Sequence, residues 1–184
     1  MRLVVGISGA SGVVYGIRAL EVLKKLKVET HLVVTAAARE TIRLETDYRP
    51  AEVEALATRA YKVEDLTANL ASGTFHTDGM AVIPCSMKTL GGVASGYSDN
   101  LLLRAADVTM KERRPLVLVV RETPLSLIHL ENMVRVARAG AVVLPAMPSF
   151  YNRPKTVGAL VDQVVGRTLD SLGVDHRLYR SWER

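Results

Sequence analysis

The chain has 184 residues, 48% of them hydrophobic and 23% charged, with a formal net charge of +5. That length predicts one domain burying roughly 70% of its unfolded surface, and no run reaches the roughly 18 apolar residues of a membrane-crossing helix. Acids interleave with bases, as in Lys111-Glu112-Arg113-Arg114, and aromatic residues make up only 5%, which argues against the basic stripe and stacking platform of a nucleic-acid binder.

Leu3-Ile7 is a continuous apolar run rich in β-formers, the pattern of a parallel strand buried on both faces. It leads into GISGASG, Gly6 to Gly12, and then into Val13, Ile17, Leu20, Leu23 and Leu26, whose spacing predicts a helix packed on the sheet. The loop fits neither common phosphate-binding pattern: Ser8 stands where a dinucleotide loop has its second glycine, and no lysine follows. A second strand is expected near His31-Val34, a helix through Ala36-Asp47 and another after Pro50, a residue suited to a helix start. Residues 67-79 are the least regular stretch, a mobile loop or an oligomer contact. Met80-Ile83 reads as a third strand, Leu101-Lys111 as a helix and Leu116-Val120 as a fourth strand. Leu127-Ala139 is helical and stops at Gly140, Ala141-Leu144 is a fifth strand, and Val157-Leu172 is a helix closed by Gly173. The alternation predicts an α/β fold, a three-layer αβα sandwich with a mainly parallel sheet, in a single domain over residues 1-184.

In such sheets ligands bind beyond the carboxyl ends of the strands. Those ends carry Ser8-Gly9-Ala10-Ser11-Gly12, then Thr35, then Pro84-Cys85-Ser86-Met87-Lys88-Thr89, then Arg121-Glu122-Thr123-Pro124, and finally Pro145 to Tyr151. Singly each is an ordinary loop; gathered on one edge they predict a binding site. The first loop offers a helix N-terminus with exposed N–H groups and the Ser8 and Ser11 hydroxyls, suited to a phosphate or a polar ring edge. Ser11 also reads as an N-cap, and the two roles are compatible. Arg121 can fork onto an anion while Glu122 beside it moves a proton; the alternative is a solvated loop doublet.

Other chemistries find less support. The histidines, His31, His76, His129 and His176, are dispersed, so no metal site is expected. Cys85 is the only cysteine, which excludes an intrachain disulfide and reads as a small buried hydrophobe rather than a nucleophile. No G-x-S-x-G elbow points to a serine hydrolase. The opening MRLVVGIS has too short an apolar run for a secretion signal, so a cytoplasmic location is expected.

Several blocks together resemble the UbiX-type flavin prenyltransferases: GISGASG with Tyr15-Gly16, LETD (Leu44-Asp47), PCSMKTL (Pro84-Leu90), Arg104 to Ser126, IHLENM (Ile128-Met133) and PSFYNRP (Pro148-Pro154). The resemblance implies a Rossmann-like, FMN-binding, cytoplasmic homo-oligomer, a dodecamer, with no membrane or nucleic-acid partner. It implies transfer of a dimethylallyl group from dimethylallyl phosphate to N5 and C6 of reduced FMN. The product, prenylated FMN, would serve a UbiD-type decarboxylase in ubiquinone biosynthesis or aromatic acid decarboxylation. Carried over by motif, the flavin contacts are Gly9, Ala10, Ser11, Thr35, Ser86, Met87, Lys88, Thr89, Arg104 and Arg121. The isoprenoid phosphate would meet Lys111, Arg121, Tyr151 and Arg167, with Glu122 beside it, in a site assembled between subunits. Many relatives have serine where this chain has Thr35; the hydroxyl is kept.

This chemistry agrees with the residues. No aspartate-rich D-D-x-x-D motif is present to carry Mg²⁺, whereas Lys111, Arg121 and Arg167 can neutralise a phosphate without metal. Glu122, and Lys111 with it, would act on the leaving phosphate. Glu45 either relays the final proton with Ser11 or is a helix-surface charge. Two other readings compete: a non-catalytic FMN carrier, and a flavin-dependent decarboxylase of the cysteine decarboxylase type. Intact Lys111, Arg121, Glu122, Tyr151 and Arg167 argue against the first, and the absence of a histidine between Gly12 and His31 against the second.

Overall fold

A computed structural model describes residues 1–180; the last four residues of the expected domain lie outside the described residues. In chain order the elements are β1 (Arg2–Ile7), α1 (Val13–Lys25), β2 (Glu29–Val34), α2 (Ala36–Glu45), α3 (Pro50–Glu54), β3 (Arg59–Tyr61), a 3₁₀ turn (Asn69–Ala71), β4 (Gly79–Cys85), α4 (Met87–Ser95), α5 (Leu101–Lys111), β5 (Leu116–Val120), α6 (Leu127–Arg138), β6 (Val142–Val143) and α7 (Val157–Ser171). The sheet order is β3-β2-β1-β4-β5-β6 and every pairing is parallel. This is a Rossmann-like three-layer sandwich.

Alternation along the strands sends side chains to two cores. Leu3, Val5 and Ile7 of β1 join α1 and α7 on one face, whereas Val4, Met80, Val82 and Leu118 join α4, α5 and α6 on the other. Both faces are covered, so β4 and β5 are buried at every position. Each fully buried Leu or Val contributes roughly 1.5–3 kcal/mol. The first helix lies so close to the sheet that a Cβ on Gly16 would stand 2.3 Å from the Ile83 carbonyl oxygen. Among the described residues no helix is long and apolar enough to cross a membrane.

The structure departs from the sequence expectation in three places. β3 is a three-residue edge strand, too short and too exposed, at Arg59 and Ala60, to announce itself. α4 contains Gly91 and Gly92, and the sequence reading assigns no helix there; it forms because the Ser86 hydroxyl accepts from Thr89 N at 3.3 Å and Leu90 and Val93 are buried. Gly92 is a packing requirement there, since a Cβ would stand 2.8 Å from Leu103 Cδ1. Finally, the irregular segment 67–79 packs along α5, with Leu70 buried and the Gly73 carbonyl accepting from Arg114 Nη2 at 2.8 Å.

Candidate active site

β1 and β4 are neighbours, but the chain leaves them toward opposite edges of the sheet, so a crevice opens beyond their carboxyl ends. Ser8 closes its floor. Its hydroxyl donates to Pro84 O at 2.9 Å and accepts from Ser86 N at 2.8 Å, locking the β1 loop to the β4 loop. Ser8 is 1% exposed, so this hydroxyl serves the scaffold and not a ligand, contrary to the sequence reading. On the other side the β1 loop lies against α2: a Cβ on Gly9 would stand 2.4 Å from Ala37 Cβ.

The helix starts of α1, α2 and α4 therefore meet around one cradle. Thr35 caps α2 by accepting from Ala38 N at 3.2 Å, and Ser86 caps α4. α1 begins differently. Its N-cap is Gly12, at φ +99, with no side-chain cap of its own, so Ser11 is not the cap. Instead Glu45 Oε2 accepts from Gly12 N at 2.8 Å and from Val13 N at 3.3 Å. The carboxylate satisfies the positive end of α1, while α2 and α4 keep neutral hydroxyl caps; an anion is favoured at these two. This donor set, with a loop of Gly9, Ala10 and Ser11 that carries little bulk, fits a phosphate joined to a flat ring. Met87, Lys88 and Thr89 form the first turn of α4 along the same cradle.

Arg121 reaches the cradle from β5. Its N–H donates to Cys85 O at 3.3 Å and its Nε to Ser11 O at 3.0 Å, which lays the guanidinium over the β1 loop. Tyr15 packs beneath, its ring 3.0 Å from where a Gly12 Cβ would be. Burial pushes the Tyr15 phenol above its ordinary pKa, with Arg121 acting in the opposite sense. Glu122 is exposed and accepts from Thr123 N at 3.0 Å. Cys85 is fully buried, and burial pushes its thiol up to about 12, so it stays protonated and packs.

The other residues expected to meet a phosphate lie elsewhere. Tyr151 lines a cavity of about 430 Å³ with Asn152, Gln163, Tyr179 and Arg180. Arg167, in α7, donates from Nη1 to Asp170 Oδ2 at 3.2 Å and lies 3.5 Å from the Tyr179 hydroxyl. Lys111, at the end of α5, pairs with Glu112 at 2.5 Å. Arg104, also on α5, donates to Ala71 O at 3.1 Å and to Asp107 at 2.7 Å, partners that belong to the α5 surface and not to the cradle. Because α5 and α7 cover opposite faces of the sheet, one subunit gathers the cradle residues, Arg121 and Glu45 but separates Lys111 and Arg104 from Tyr151 and Arg167. Among the described residues no three His, Cys, Asp or Glu side chains are grouped as a metal would require. Sequence reasoning missed Asp170, His176 and Tyr179 around Arg167; only Asp170, three positions after Arg167 in the helix, left a readable signal.

Residues 1–169 match the family described as Flavoprotein. Over 185 aligned residues the chain is 50% identical to the flavin prenyltransferase UbiX of Escherichia coli K12, spanning 99% of this chain and 98% of that one. The chain belongs to the UbiX-type flavin prenyltransferase family. It is also 52% identical over 182 residues to the mitochondrial flavin prenyltransferase PAD1 of Saccharomyces cerevisiae, covering 99% of this chain and 75% of the relative. Two UbiX-type crystal structures superpose over the whole chain. One, AnUbiX (PadA1) in complex with FMN and dimethylallyl pyrophosphate, gives a TM-score of 0.98 at 50% identity, covering 100% of this chain and 97% of that one. The other, a dodecameric FMN-dependent UbiX-like decarboxylase from Escherichia coli O157:H7, gives 0.98 at 51% identity and full coverage of both chains. The cysteine decarboxylase TvaF, at 18% identity and a TM-score of 0.66 over 94% of this chain and 98% of that one, shares the fold alone with this UbiX-type chain.

Proposed function

We propose that this chain transfers a dimethylallyl group from dimethylallyl phosphate to N5 and C6 of reduced FMN, in a site built between subunits of a homo-oligomer. What supports this reading is the separation, within one chain, of the polar cradle with Arg121 from Lys111 on one layer and from Tyr151 and Arg167 on the other. A subunit whose α5 surface meets a neighbour's α7 surface beside the cradle would supply the second substrate site. Exposed apolar side chains support assembly: α6 buries only Val136, while Leu127 is 69% and Ile128 68% exposed. The dodecameric relative agrees with a dodecamer here.

In this reading Gly9, Ala10, Ser11, Thr35 and Ser86 to Thr89 hold the flavin, with Arg121 above it. Lys111, Tyr151 and Arg167 hold the isoprenoid phosphate and neutralise the charge that grows as it leaves, with no metal called for. Glu122, the residue next to Arg121 in the chain, delivers a proton to the phosphate. Glu45, whose carboxylate reaches Gly12 N, lies beside Ser11 and accepts the proton released at ring closure. Bound reduced FMN supplies the nucleophilic ring. Holding both partners in line lowers the barrier by roughly 7–11 kcal/mol. The product would pass to a UbiD-type decarboxylase in the cytoplasm, and residues 1-184 would act as one domain.

The test is anaerobic. The purified protein is mixed with reduced FMN and dimethylallyl phosphate, and the extracted flavin is examined by mass and absorbance. A flavin heavier by one dimethylallyl group is expected; unmodified flavin, with both ligands bound, rejects the reading.

A further inference from the structure

Beyond α7 the chain turns at Gly173, φ +69, and doubles back along the helix it has just left. His176 Nε2 lies 2.9 Å from Gly166 O and 3.0 Å from Asp170 Oδ1, while His176 Nδ1 accepts from Leu178 N at 3.2 Å. With Nδ1 an acceptor, Nε2 carries the hydrogen and both ring nitrogens are engaged. Tyr179 closes over the same turn: a Cβ on Gly166 would stand 2.5 Å from Tyr179 Cε1 and 2.7 Å from His176 Cε1. The Tyr179 hydroxyl donates to Asp170 Oδ2. One carboxylate thus gathers donors from His176, Tyr179 and Arg167. Tyr179 also lines the cavity that holds Tyr151.

We propose that Asp170, clasped by His176 and Tyr179, is a positioning residue that aims Arg167 at the isoprenoid phosphate. The inference rests on the reading of Arg167 as a phosphate ligand. A flexible arginine loses rotamer freedom when it docks on an anion, and a clasp formed beforehand removes part of that loss. Both contacts fall on Nη1. That leaves the Nε–Nη2 edge of a side chain 60% exposed outside both contacts, two parallel donors matched to two phosphate oxygens. Asp170 shares its charge among three donors, so it orients Arg167 without cancelling it.

Steady-state prenylation at saturating reduced FMN tests this. Asp170→Asn should raise the KM for dimethylallyl phosphate about tenfold with kcat within about twofold and flavin affinity unchanged. Tyr179→Phe, which keeps the ring over Gly166 and so guards against a folding defect, should raise it roughly threefold. In an Arg167→Ala background, Asp170→Asn should add nothing, because its effect passes through Arg167. An unshifted KM in both single variants, or an equal further loss in the Arg167→Ala background, overturns the inference alone. A wild-type protein that leaves the flavin unmodified overturns the functional reading and this inference with it.

Discussion

Glu45, the last residue of α2, caps α1: its Oε2 accepts from Gly12 N at 2.8 Å and Val13 N at 3.3 Å. The capping group comes from a different helix, so it ties the loop after β1 to the end of α2, within the LETD block. Glu45→Ala leaves two helix-start N–H groups to water and should cost about 0.5–2 kcal/mol, read from urea unfolding. Glu45→Gln keeps one acceptor and should recover most of that stability while still slowing prenylation. Full activity in the Gln variant would remove Glu45 from the proton path.

Gly9 allows the loop to touch α2. Gly9→Ala brings its Cβ to 2.4 Å from Ala37 Cβ, and the loop must move. Overpacking of this kind costs roughly 1–3 kcal/mol, and flavin affinity, followed by fluorescence quenching, should fall about tenfold. Adding Ala37→Gly to the same chain removes the struck atom and should restore binding.

Lys111 on α5 and Arg167 on α7 belong to opposite layers of one subunit. Lys111→Ala and Arg167→Ala should each cut turnover roughly a hundredfold, leaving a rate that can still be measured. Co-expressed, the two variants should regain roughly a quarter of wild-type activity, since mixed assemblies pair an intact Lys111 with a neighbour's intact Arg167. Mixed assemblies no more active than either variant alone would place both residues in one subunit's site.

Stability should fall on the acid side for an identifiable reason. The hydrogen bond from Arg2, and next that from His31, hold the Glu29 carboxyl below its ordinary value of 4.5. The Arg2 backbone N–H holds Asp78 below 3.8. A depressed carboxyl stabilises the fold fully above its ordinary pKa and loses that contribution as pH falls through the folded value. The melting temperature should therefore be flat above about pH 5 and fall below pH 4. Glu29→Gln should lower the plateau and make the acid limb shallower.

The cradle was legible because its parts are local. A strand end followed by small residues, Thr35 at a helix start and Ser86 before Thr89 each carry their signal within a few residues. Leu101–Lys111 and Leu116–Val120 were read with their observed bounds, since amphipathic and fully buried patterns declare themselves over a dozen positions or fewer. β3 was not legible, because pairing with β2 makes Arg59–Tyr61 a strand despite its exposed side chains. α4 was hidden by its two glycines, of which Gly92 serves close packing against Leu103 of α5.

Sequence pattern was enough to establish a parallel α/β chain with a polar cradle at the switch between β1 and β4, because burial periodicity and helix caps are short-range properties. Lys111, Tyr151 and Arg167, by contrast, were expected to meet a phosphate only through the resemblance of their motifs to a known family. Which of those groups face one another depends on the layer each helix occupies, a matter of long-range packing. Only the tertiary structure placed Lys111 and Arg167 on opposite faces of the sheet, put Glu45 on the start of α1, and folded Tyr179 and His176 back onto Asp170. These contacts join residues whose spacing along the chain leaves no local trace.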